Sequence, residues 1–88
     1  RVGMEELYHF KKELRTLIKE YHQQFLKVKE VSVPNRYNIP EKMMVLEKVK
    51  EEMEYIEELE KYIFQESTQI KLLQAMDKIQ GLIIELDF

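Results

Sequence analysis

Gln65-Glu66-Ser67-Thr68-Gln69 interrupts an otherwise regular apolar pattern, and the way the chain absorbs that interruption sets its number of helices. Before it, Leu46, Val49, Met53, Ile56, Leu59 and Ile63 recur at the three- and four-residue spacing of one helix face. After it, Leu72, Met76, Ile79, Ile83 and Leu86 do the same. The two series do not share a register: stepping back by sevens from the second reaches Gln69 and Tyr62, or Gln65 and Glu58. One structure that fits is a single helix of about 48 residues with a stutter, roughly 70 Å long. The rest of the chain could not cover such a helix, so that helical hairpin would have to dimerise. The other is a turn at Gln65 to Thr68 with Ser67 or Thr68 as N-cap, giving three helices at about 5-30, 40-64 and 68-86. Their similar lengths favour an all-α, antiparallel bundle of three helices.

The first helix is the plainest element. Leu7, Phe10, Leu14, Leu17, Tyr21 and Val28 alternate at three and four residues, Ile18 and Phe25 widen the stripe, and no Gly or Pro follows Gly3. Glu5 and Glu6 stand where the positive end of the helix dipole favours carboxylates. The segment Val31-Ser32-Val33-Pro34-Asn35-Arg36-Tyr37-Asn38-Ile39-Pro40 then breaks the pattern, because each proline pushes the residue before it out of helical geometry. Pro40 suits the first turn of the next helix, with Asn38 or Ile39 as its cap. The loop at 31–39 is apolar for a linker; Arg36 and Tyr37 make it either the closure of one bundle end or a candidate partner-binding loop.

Charge agrees with this layout. Residues 1–30 carry seven basic and five acidic side chains, and residues 41–66 carry four basic and nine acidic. The first two helices are therefore expected side by side, with Lys11, Lys12, Lys19, Lys27 and Lys29 near the Glu51-Glu52, Glu54 and Glu57-Glu58 groups. The chain has 88 residues, 35% of them charged, and no cysteine. That composition fits one helical domain and excludes disulfide scaffolds, thiolate catalysis and cysteine zinc sites. At this size a lone core gives only a few kcal/mol, so help from self-association is expected. No apolar run approaches the roughly 20 residues of a membrane span, and no secretory signal is visible. A soluble protein, cytoplasmic or nuclear rather than secreted, is the resulting expectation.

Residues that could carry chemistry are few. Glu6 and His9 have the spacing of half a carboxylate di-iron site, but a second pair is missing. Glu5, His9 and Glu13 share an outward face. His22 lies between Ile18 and Phe25 and reads as a half-buried structural histidine. Ser32, Ser67, Thr16 and Thr68 sit in no nucleophile context, and two glycines cannot make a phosphate loop. We expect no catalytic, cofactor-binding or metal-binding residues and no cofactor. A chorismate mutase of similar length would need several inward cations, whereas the only arginines are Arg1, Arg15 and Arg36. The net charge of −3 works against nucleic acid as a partner.

Apolar residues remain in excess. Leu72, Met76, Ile79, Leu82, Ile83 and Leu86 are the candidate partner-binding surface, with Ile70, Leu73, Ile84 and Phe88 elsewhere around the same helix. Met43, Met44, Met53 and Met76 add adaptable packing. The chain thus reads as a non-catalytic protein-protein interaction module, a helical adaptor or regulatory subunit that self-associates. Ala75 to Asp87, through Ile79-Gln80, Leu82, Leu86 and Asp87, resembles the last helix of BAG domains, three-helix modules that bind Hsp70 chaperones. That resemblance implies the alternative function, a regulator of a larger machine, as would a small transcription-associated factor using Lys11, Lys12, Arg15 and Lys19. Where BAG domains carry gripping cations this chain has Gln69, Leu72 and Leu73, so no binding residue carries over.

Overall fold

The computed structural model describes the backbone of residues 1–30 and 39–87, and the side chains of 1–27 and 39–87. Three helices account for nearly all of it: α1 (Met4–Glu30), α2 (Ile39–Glu60) and α3 (Glu66–Asp87). They form an elongated bundle, 48 × 17 × 17 Å. The loop at 31–38, with Arg36, Tyr37 and Asn38, lies outside the described residues, as does Phe88. Pro40 occupies the first turn of α2 as expected, with the helix starting one residue earlier, at Ile39.

The break that separates two helices from three is real but lies earlier than the sequence pattern places it. α2 stops at Glu60, and Lys61–Gln65 form the turn. Ser67 and Thr68, expected as N-caps, are instead inside the first turn of α3. The displacement has a hydrogen-bonding cause. The amides of Lys61, Tyr62 and Ile63 donate to the carbonyls of Glu58, Leu59 and Glu60 at 3.4, 2.9 and 3.3 Å. This three-residue spacing tightens the helix end and satisfies carbonyls that would otherwise be orphaned, without Gly or Pro. Gln65 N–H then donates to Tyr62 C=O at 3.0 Å, and Gln65 C=O accepts from Gln69 N–H at 3.1 Å to start α3.

Cross-helix pairs give the direction of packing. Lys11 meets Glu60 at 2.7 Å and Arg15 meets Glu57 at 3.8 Å, so α1 and α2 are antiparallel. Lys78 meets Glu52 at 2.7 Å, and Lys42 Nζ donates to Leu86 C=O at 2.8 Å, so α2 and α3 are antiparallel too. α1 and α3 therefore run the same way, tied at one end by Arg1 with Glu66 and at the other by Tyr21 with Asp87. The charge asymmetry between the first two helices is used in part: Lys11 and Glu60 are the most shielded pair, at 12% and 22% side-chain exposure. Glu52, in contrast, is taken by α3.

One apolar core runs the length of the bundle. α1 supplies Leu7, Leu14 and Phe25; α2 supplies Leu46, Val49, Ile56 and Leu59; α3 supplies Leu72, Ala75, Ile79, Leu82 and Leu86, with Val2 and Ile63 closing one end. Burial of that area is the main favourable term in folding. It is completed within one chain.

Candidate interaction surfaces

The seam that reads from sequence as the partner surface is largely the inner face of α3. Leu72 and Ile79 are wholly buried, Leu82 and Leu86 nearly so, and Met76 and Ile83 are half-buried against the same core. The correction follows from geometry: α3 packs on α2 and is flanked by α1, so the stripe with the cleanest periodicity is the one its own chain covers. Apolar groups left to solvent lie on the other side of the helix. Ile70, Leu73 and Ile84 are 59%, 54% and 57% exposed. At 100° per residue these three fall within an arc of about 60° that includes Asp77, with Gly81 about 20° beyond its edge. A Cβ placed on Gly81 would meet no heavy atom within 4 Å.

A second exposed apolar group sits where the chain's beginning meets the turn. Met4 is 53% exposed and Phe64 is 88% exposed, and both line a shallow cavity with Ile63 and Gln69. Beneath them Gln69 is buried and fully satisfied. Its Oε1 accepts from Val2 N–H at 2.7 Å, and its Nε2 donates to the carbonyls of Val2 at 3.1 Å and Ile63 at 2.7 Å. The amide thus fastens the start of the chain and the α2–α3 turn to the first turn of α3. In the sequence Gln69 is only a polar residue at a seam position. Periodicity flags it as a lapse and says nothing of its partners.

Among the described residues no group of three or more His, Asp or Glu side chains is disposed to hold a metal ion. His9 Nε2 lies 3.9 Å from Glu5 on an exposed face. His22, read from the sequence as half-buried, is exposed, because α1 turns Ile18 and Phe25 inward and leaves it on the flank towards α2. Lys78 is held above its ordinary value of 10.5, first by its hydrogen bond to Glu52 and then by the attraction of that carboxylate. A raised lysine pKa means that the pair's contribution is fully present below the unfolded value and fades as pH rises through the folded one. Glu52→Gln should therefore return the Lys78 midpoint towards 10.5 in an NMR titration, and an unmoved midpoint would exclude Glu52 as the cause.

No helix among the described residues is long and apolar enough to cross a membrane. Comparison with curated proteins gives no significant match, and comparison with solved structures gives none either. A family model does match, over residues 1–87, and by it the chain belongs to the family described as "Protein of unknown function (DUF327)".

Proposed function

We propose that this chain is a non-catalytic helical interaction module that self-associates through the outer flank of α3. The observation that carries this reading is the second apolar stripe, Ile70, Leu73 and Ile84, standing in solvent on a helix whose inner stripe is already buried. A helix serving only its own core needs one apolar face. Gly81 lies in the same flank with open space above it, which lets another backbone approach closely. The BAG-like alternative has less support, since Gln69 and Leu72, at two of the positions where such modules carry gripping cations, are buried.

Sedimentation velocity over a concentration series tests the reading. The chain should show a mass that rises with concentration, and Leu73→Lys combined with Ile84→Lys should return it to a monomer with unchanged helicity. A wild-type chain that stays monomeric at about 0.1 mM, well above a typical micromolar association, would overturn self-association. Gly81→Ala gives a signature with opposing signs. It should stabilise the isolated chain by about 0.5–1 kcal/mol through helix propensity while weakening association by filling the close-approach point. If both rise together, Gly81 is not at the contact.

A further inference from the structure

Midway along α1 its seam with α2 opens. Leu14 and Phe25 are buried, but Ile18 and Tyr21 between them are only half-buried; opposite, Met53 is half-buried between the buried Val49 and Ile56. The opening is a groove of about 470 Å³ with Ile18 and Met53 among its lining residues. Arg15, Lys19 and His22 from α1 and Lys50 from α2 also line it, and Glu54 is the one carboxylate among them.

The electrostatics reverse along this seam. Towards the turn, opposite charges close it, through Lys11 with Glu60 and Arg15 with Glu57. At the groove, lysines stand on both helices. Among the described residues Lys19 has no ion pair, and Lys50, half-buried, pairs only with the exposed Glu47 of its own helix, at 3.1 Å. An exposed pair of that kind contributes under about 1 kcal/mol, so both ammonium groups are available to an incoming anion. Three cations against the single carboxylate Glu54 leave the groove lining with excess positive charge, which favours a negatively charged occupant.

We propose that this groove receives an acidic amphipathic helix of a partner protein, its apolar side chains on Ile18 and Met53 and its flanking carboxylates on Lys19 and Lys50. The match is one of charge and of pattern: an apolar patch bordered by cations on both helices is the complement of an apolar stripe bordered by acids. A small anion fits less well, because the groove is open to solvent and ligand pockets enclose most of their ligand. A nucleic-acid duplex fits less well, because its phosphate backbone offers no apolar stripe to Ile18 and Met53 and the chain as a whole carries a net charge of −3. This surface belongs to α1 and α2 and stands apart from the α3 flank proposed for self-association.

The probe is a fluorescein-labelled peptide of Glu, Leu and Ile, about four helical turns long, with its apolar residues at helical spacing. A second peptide carries Lys in place of every Glu, and a short DNA duplex is the third ligand. By fluorescence anisotropy the acidic peptide should bind the intact chain, and more weakly as salt rises from about 0.05 M to about 0.5 M. Lys19→Glu and Lys50→Glu should each weaken it about tenfold at low salt while leaving thermal unfolding in place. Leu73→Lys with Ile84→Lys should leave this binding unchanged, which separates the two surfaces. Binding that ignores both lysine reversals, or that is equal for the basic peptide, overturns the proposal. Binding of the duplex that is lost with Lys19→Glu, in the absence of peptide binding, overturns it in favour of nucleic acid.

Discussion

Gln69→Leu should lower the unfolding free energy by about 3 kcal/mol and the melting temperature by about 15 °C. The side chain is almost isosteric, so the effect isolates hydrogen bonding from packing. The substitution strips partners from Val2 N–H, Val2 C=O and Ile63 C=O. Each buried backbone group left unsatisfied costs roughly 1–3 kcal/mol. The total stays below the sum because Arg1–Gly3 can peel into water and recover its hydrogen bonds there. In a domain whose net stability is only several kcal/mol, this is a large fraction. Gln69→Glu is a useful companion. It keeps an acceptor for Val2 N–H but at neutral pH offers no donor to the two carbonyls, so it should be destabilised as well. Urea unfolding followed by circular dichroism measures both; a loss under about 1 kcal/mol for either would mean the network contributes little.

Leu72→Ala should cost about 3 kcal/mol, whereas Leu73→Ala, one residue on, should cost under about 0.5 kcal/mol. Leu72 is wholly buried and Leu73 is 54% exposed. Truncating the first removes apolar burial and leaves a cavity that the packed helices only partly close. Truncating the second removes side-chain atoms that were already half in water. The contrast checks that the Leu72 side of α3 is core and the Leu73 side faces solvent. If Leu72→Ala left stability intact and Leu73→Ala lowered it, the helix would be rotated from the orientation described here.

Much of the fold was legible because helix periodicity is a local signal. Leu46, Val49, Ile56 and Leu59, and then Leu72, Ile79 and Leu86, read as two faces out of register, and a turn between them is what the chain has. The turn's position was not legible. Its carbonyls are satisfied by three-residue backbone bonds, which any side chains permit, so Lys61–Gln65 carries no Gly or Pro to mark it. Ser67 and Thr68 look like caps because their side chains favour that role in general. The candidate surface was harder still. Sequence gives the number of apolar residues on α3 and their spacing, but which side meets α2 depends on how the helices pack. The regular stripe is the one the core takes, and Ile70, Leu73 and Ile84, elsewhere around the same helix, are the exposed ones. The cationic groove required two lysines, Lys19 and Lys50, far apart in the chain to be brought to one opening.

The fastening by Gln69 also has a place in the order of folding events. Its bond to Ile63 spans six residues and its two bonds to Val2 span 67. The α2–α3 hairpin closes through a five-residue turn and α1 is separated from α2 by only residues 31–38, so both closures cost little in loop entropy, whereas the Val2–Gln69 contact spans all three helices. The short-range bond needs only the α2–α3 bend. The long-range pair needs all three helices in place, so Gln69→Leu is expected to speed unfolding more than it slows folding, which stopped-flow kinetics would read. One amide thus joins a local bend to a contact that spans the fold: with Ile63 it holds the turn, and with Val2 it ties down the start of the chain.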